Sequence, residues 1–196
     1  MWDDDDLEPF VEAESLPRDK IVAVARAFRA ADIPFAFGGA ISLEFFGTPR
    51  GSWDIDANLF VPEDRAWDVL QSLVGLIEGI HLGRALAVIE RDGQLRIDWD
   101  GTEIDLYFSY DPFHESCRTR VRQVTFDGEP IGVLSAEDLV VLKVLADRDR
   151  DWVDVEDIMD SQGATFDLAY TRRWIELLCG GSKAKPRRFE ALIGNR

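Results

Sequence analysis

Two aspartates spaced one residue apart inside an apolar segment constrain this chain more than any other feature. Asp54 and Asp56 stand in Trp53-Asp54-Ile55-Asp56-Ala57-Asn58-Leu59-Phe60-Val61. On an extended strand, successive side chains point to opposite faces. Ile55, Ala57 and Leu59 then enter a core, and the two carboxylates converge on the other face. Carboxylates held together repel unless a cation neutralises them. Hard divalent cations such as Mg²⁺ take oxygen ligands and favour sites shared with substrate phosphates. Acidic pairs at this spacing also occur on ordinary solvated strand faces, so the surrounding residues decide the meaning.

Upstream, Phe35-Ala36-Phe37 reads as a short buried strand that runs into Gly38-Gly39, and Ala40 to Phe46 reads as a short helix. Strand, glycine pair and helix in that order leave backbone N–H groups and the positive end of a helix dipole at the glycines, which suits a phosphate. Glycine lets the backbone approach such a group closely. An isolated Gly-Gly also serves as a simple tight turn.

Two carboxylates hold a metal poorly, and a third ligand is expected. Asp105, in Glu103-Ile104-Asp105-Leu106-Tyr107-Phe108, shares a strand face with Glu103 and Tyr107, and a neighbouring strand could bring it beside Asp54 and Asp56. Asp98 is its rival. Asp100 precedes Gly101 and reads as a turn residue.

The remaining pattern predicts an α/β part over 1–134 and a helical part over 135–196. A short helix is expected over 7–15, then helices over 18–31 and 62–78. Strands are expected over 85–90, 95–99 and 103–109, with Asp92-Gly93 and Asp100-Gly101 as hairpin turns, and over 121–126 and 130–134 around Asp127-Gly128. Helices follow over 135–147, 150–161, 166–178 and 185–193. Arg118, Arg120 and Arg122 alternate as though along one strand face. A chain of 196 residues with 46% hydrophobic content can bury a sizeable core. Its formal charge of −16 opposes non-specific nucleic-acid binding. Cys117 and Cys179 are far apart and suit a reducing compartment. The acidic start is unlike a signal peptide, and no apolar run reaches membrane-spanning length. A soluble cytoplasmic protein with no membrane partner is expected.

Phe37-Gly38-Gly39, Gly47-Thr48-Pro49-Arg50-Gly51-Ser52-Trp53-Asp54-Ile55-Asp56 and Ile104-Asp105-Leu106 together resemble the nucleotidyltransferase superfamily that shares the DNA polymerase beta palm fold. The chain looks most like small bacterial nucleotidyltransferases related to abortive-infection toxins, and aminoglycoside nucleotidyltransferases form a related branch. The resemblance implies an α+β nucleotidyltransferase fold: a mixed central sheet flanked by helices, followed by a helical C-terminal part. It implies two Mg²⁺ ions, or Mn²⁺, on Asp54, Asp56 and Asp105, and a nucleoside triphosphate as partner. Gly38, Gly39 and Ser42 would cradle the triphosphate. Arg50 and Ser52 stand where relatives carry Arg and Thr, and Arg50 could steer phosphate or brace its loop.

Lys143 falls on the apolar stripe of its helix, four residues after Leu139. Snorkelling accounts for such a lysine. The resemblance instead implies a phosphate contact, because relatives carry a lysine on the helix after the palm. Arg148, Asp151 and Asp154 read as a charge network that braces helices. The acceptor is left open among tRNA, a protein hydroxyl and a small molecule, and the resemblance extends to a toxin–antitoxin or phage-defence setting with an antitoxin partner. The competing reading is a catalytically silent protein of the same fold that acts as a binding partner or antitoxin. Retention of all the candidate carboxylates, the glycine pair and Lys143 favours the enzyme.

Overall fold

The computed structural model describes residues 17–49, 51, 54–108 and 111–194. The helix expected over 7–15, together with Arg50 and Ser52, lies outside the described residues. Helix α1 (Arg18–Ala30) buries Ile21, Val24, Ala25 and Phe28, the stripe its periodicity predicts. Strand β1 (Phe35–Phe37) leads into α2 (Gly39–Phe46). Strand β2 (Ile55–Leu59) is followed by a 3₁₀ turn over Glu63–Arg65, then by α3 (Ala66–Val74) and α4 (Leu82–Asp92). Next come β3 (Gln94–Trp99), β4 (Thr102–Phe108), α5 (Pro112–Arg120), β5 (Arg122–Phe126) and β6 (Glu129–Val133). The chain then turns helical: α6 (Ala136–Ala146), α7 (Asp149–Gln162), α8 (Leu168–Leu178) and α9 (Ala184–Gly194).

The strands form one mixed sheet in the order β3-β4-β2-β1-β6-β5. β2 runs antiparallel to β1 and parallel to β4, and β1 runs parallel to β6. A hairpin closes each edge. Both hairpins turn on the predicted Asp-Gly pairs, with Asp100 and Asp127 at φ 48° and Gly101 and Gly128 at φ 78° and 80°. Positive φ at both central residues matches the twist of the flanking strands.

Ile55, Ala57 and Leu59 of β2 and Ile104, Leu106 and Phe108 of β4 share one core with α1, α3 and α4. A second core joins Ala36, Leu43, Phe60 and Leu134 to α6, α7 and α8 through Leu139, Val140, Trp152 and Trp174. The helical C-terminal part is therefore packed against α2 and the strand ends, and this packing brings α6 over the acidic strands.

Three expectations are corrected. The strand expected over 85–90 is the middle of α4. Leu82, Ala85, Leu86 and Ile89 recur at helical spacing, and Gly93 ends the helix at φ 66° with its N–H donating to the Ile89 carbonyl. Asp92-Gly93 is thus a helix stop, not a hairpin. The helix expected over 62–78 opens as a 3₁₀ turn and ends at Val74. Arg118 and Arg120 lie on α5 and Arg122 on β5, so they share no strand face. The missed helix α5 had a legible start, with Asp111 as N-cap and Pro112 in the first turn.

Candidate active site

Parallel pairing of β2 with β4 sets Asp56 opposite Asp105 and Asn58 opposite Tyr107. Asp54 directly precedes β2. The intervening Ile55, Ala57, Ile104 and Leu106 are fully buried beneath the sheet, so alternation lifts the acids out of the core together. Their proximity is electrically visible at Asp56. Its carboxyl is pushed up to about 6, first by burial, then by the negative charges of Asp105 and Asp54, and Lys143 and Arg148 pull it partly back. The Tyr107 hydroxyl lies 3.5 Å from Asp56 Oδ1, and burial and then that carboxylate hold it above the usual phenol range. Asp98 sits opposite Glu103 toward the hairpin end, where its Oδ1 accepts the Gly101 N–H at 3.4 Å.

Asp54, Asp56 and Asp105 line a cavity of about 490 Å³ together with Gly38, Gly39 and Lys143. The Gly38 N–H donates to the Asp56 carbonyl at 2.8 Å. Gly39 has φ +50°, and a Cβ there would lie 1.9 Å from Asp56 Oδ2. Only glycine fits that approach. No side chain caps the N-terminus of α2, and Gly39 and Ala40 line the cavity there. Ser42 is placed differently from the expectation. It is fully buried, and its Oγ donates to the Phe37 carbonyl at 2.7 Å. It braces the glycine turn from behind and does not line the cavity.

The facing wall is α6. Ser135 caps it through the Asp138 N–H at 3.2 Å. Lys143 is buried, with Nζ 2.5 Å from Asp154 Oδ2 and 3.6 Å from Asp151 Oδ1. Asp151, itself fully buried, also accepts the Arg148 guanidinium at 2.6 Å. The network is interior, and it ties α6 to α7 at the edge of the cavity. His114 of α5 also reaches the wall, with Nδ1 3.2 Å from Asp111 Oδ1.

The residue that sequence reasoning missed is Arg96. Its Nε and Nη2 each donate to one oxygen of Asp105 at 2.7 Å, and its Nη1 lies 2.7 Å from Glu103. The signal was present. A two-residue turn at Asp100-Gly101 fixes the hairpin register and pairs residue 96 with residue 105.

Among the described residues no group of three or more His, Cys, Asp or Glu side chains forms a ready cation cluster. The donor chemistry nonetheless fits Mg²⁺ or Mn²⁺. The converging groups are hard carboxylates, and the burial and neighbouring acids that push the Asp56 carboxyl up are what a cation there would offset.

No protein-family model and no curated protein matches the chain. Solved structures do. A lincosamide antibiotic adenylyltransferase with lincomycin bound superposes with a TM-score of 0.52 at 9% identity, over 74% of this chain and 98% of that one. The antibiotic-resistance factor ANT(2″)-Ia in complex with adenylyl-2″-tobramycin gives 0.53 at 13% identity, over 82% and 97%. The chain thus has the nucleotidyltransferase fold, with its acidic strand pair and glycine turn on one cavity.

Proposed function

We propose that this protein is an enzyme that transfers a nucleoside monophosphate from a nucleoside triphosphate to a hydroxyl acceptor. The observation that carries this reading is the convergence of Asp54, Asp56 and Asp105 beside the uncapped start of α2 in a single cavity. Asp54, Asp56 and Asp105 would hold Mg²⁺ or Mn²⁺. Bound there, the cation supplies charge neutralisation for the phosphates and the developing oxyanions.

The chain's own groups do the positioning. The amides of Gly39 and Ala40 face the triphosphate at the positive end of α2. Lys143, held between Asp154 and Asp151, lines the opposite wall, from which its ammonium would meet the phosphates. Arg50 and Ser52 would complete the loop side. The acceptor oxygen attacks the α-phosphorus, the bond to the bridging oxygen breaks, and pyrophosphate leaves. The acceptor proton passes to a carboxylate of the cluster, with Asp105 the proposed base.

A small-molecule hydroxyl is the acceptor class we place first. The charge of −16 disfavours a polyanionic acceptor, and the cavity has the size of a small-ligand site. Both substrates would be met in the cytoplasm. The test is incubation with Mg²⁺ and each labelled nucleoside triphosphate in a cell extract, followed by separation of small-molecule, RNA and protein fractions. Label in the small-molecule fraction that Asp56→Ala abolishes is the expected result. Label in tRNA or protein would move the reading to the toxin–antitoxin or phage-defence setting. Absence of triphosphate binding by calorimetry with either cation would leave the catalytically silent reading.

A further inference from the structure

Arg96 stands between the site as folded and the site as proposed, and its geometry is specific. Both oxygens of Asp105 are taken by one planar guanidinium, Nε on Oδ1 and Nη2 on Oδ2, each at 2.7 Å. Two parallel charge-assisted bonds of this kind fix a carboxylate in plane as well as in charge. The third face of the guanidinium rests on Glu103 at 2.7 Å. Glu103, Asp105 and Arg96 thus form a ladder across the β3–β4 hairpin, registered by the turn at Asp100-Gly101.

The pairing is unequal. The Asp105 side chain is 12% exposed, whereas that of Arg96 is 58% exposed. The arginine reaches from solvent over the lip of the cavity, and its side chain is no part of the buried core. The backbone of Asp105 is held between two strands, opposite Asp56 on one side and Arg96 on the other. Among the described residues no guanidinium is paired with Asp56, which stands directly across from Asp105.

We propose that Arg96 is a positioning residue that serves as the resting counter-ion of Asp105, and that a divalent ion at Asp105 must displace it. The inference rests on the proposed cation-dependent reading of the same carboxylates. It implies an ordered site. Asp54 and Asp56 would hold a first cation, and Asp105 would join once nucleotide-borne charge draws a second ion in and Arg96 moves to solvent or to Glu103.

The experiment is Mn²⁺ titration followed by electron paramagnetic resonance of the free ion, on the full chain without and with a non-hydrolysable nucleoside triphosphate. The wild type is expected to take one ion alone and two with nucleotide. Arg96→Gln is expected to take a second ion without nucleotide, or to bind Mn²⁺ about tenfold tighter, because a positive competitor has gone. Adding Asp105→Asn to Arg96→Gln should return binding to one ion. Arg96→Lys should fall between, since an ammonium cannot span both oxygens. Circular dichroism checks that each variant is folded. Wild-type Mn²⁺ binding by a folded Arg96→Gln would overturn the counter-ion role and leave the cation-dependent reading intact. Failure of the wild type to bind Mn²⁺ even with nucleotide would remove that reading, and this inference with it.

Discussion

Gly39 lies so close to Asp56 that a Cβ on the glycine would fall 1.9 Å from the carboxylate Oδ2. The glycine turn and the acidic strand are therefore one object. The backbone that would receive phosphate is set by the same contact that orients a candidate ligand. Gly39→Ala cannot be accommodated by a small adjustment, because residue 39 also sits at φ +50°. We expect it to lower nucleotide transfer at least about 100-fold, since misplacement by about 1 Å is enough for that. Stability should fall by about 1–3 kcal/mol. Transfer assays beside urea denaturation check both numbers.

Asp56 couples function to stability with a definite sign. Its carboxyl titrates at about 6 in the folded protein against 3.8 unfolded. Its contribution without cation is therefore fully present below 3.8 and is lost as pH rises through 6. A shift of about two units amounts to at most about 3 kcal/mol. Asp56→Asn removes this penalty. The variant should melt close to the wild type at pH 4 and above it at pH 8, while transfer is abolished. A thermal-melt series in chelator across that range decides it. Equal melting differences at both ends would contradict the electrostatic account.

How far the sequence alone could go is clear from particular residues. Alternation predicted that Asp54 and Asp56 leave the core together, and the Asp-Gly pairs predicted both edge hairpins, because each follows from local geometry. Segment 85–90 was misread because Asp92-Gly93 serves equally as a hairpin turn and as a helix stop, and only the spacing of Leu82, Ala85, Leu86 and Ile89 separates them. Ser42 was misplaced because its polar side chain faces inward to the Phe37 carbonyl, which depends on how α2 rolls against the sheet. The partners of Lys143 come from the packing of α6 on α7, and no pattern within either helix encodes that packing.

Lys143 separates a structural from a functional charge. Its ammonium serves Asp154 at 2.5 Å and the fully buried Asp151 at 3.6 Å. Removing one partner of a buried pair is costly, on the order of 3–5 kcal/mol. Lys143→Met should therefore destabilise strongly. The pair Lys143→Met with Asp154→Asn should recover part of that loss, because one of the two carboxylates that Lys143 serves is neutralised too, while Asp151 keeps Arg148. If Lys143 also contacts phosphate, the stabilised double variant still binds nucleoside triphosphate at least about tenfold more weakly than the wild type. Denaturation curves and nucleotide calorimetry on the single and double variants test this. Full recovery of binding would assign Lys143 to bracing alone.

Asp157 of α7 offers a test at a distance from the cavity. Its carboxylate receives the Thr48 backbone N–H on Oδ2 and the Thr48 hydroxyl at 2.9 Å on Oδ1. Gly47 packs against it so tightly that a Cβ there would lie 2.6 Å from Oδ2. This clamp fixes the chain where it leaves α2, six residues before Asp54, and it ties the acidic strand's approach to the helical C-terminal part. The bonds are solvent-exposed, so their loss should cost only about 1 kcal/mol of stability. Their effect on the reaction should be larger, because position is what an electrostatic site depends on. Asp157→Ala is expected to reduce kcat about tenfold with little change in the melting temperature. Asp157→Asn, which can still accept from Thr48, should retain most of the rate. Equal losses in both variants would point to the charge of Asp157 instead of its grip on Thr48.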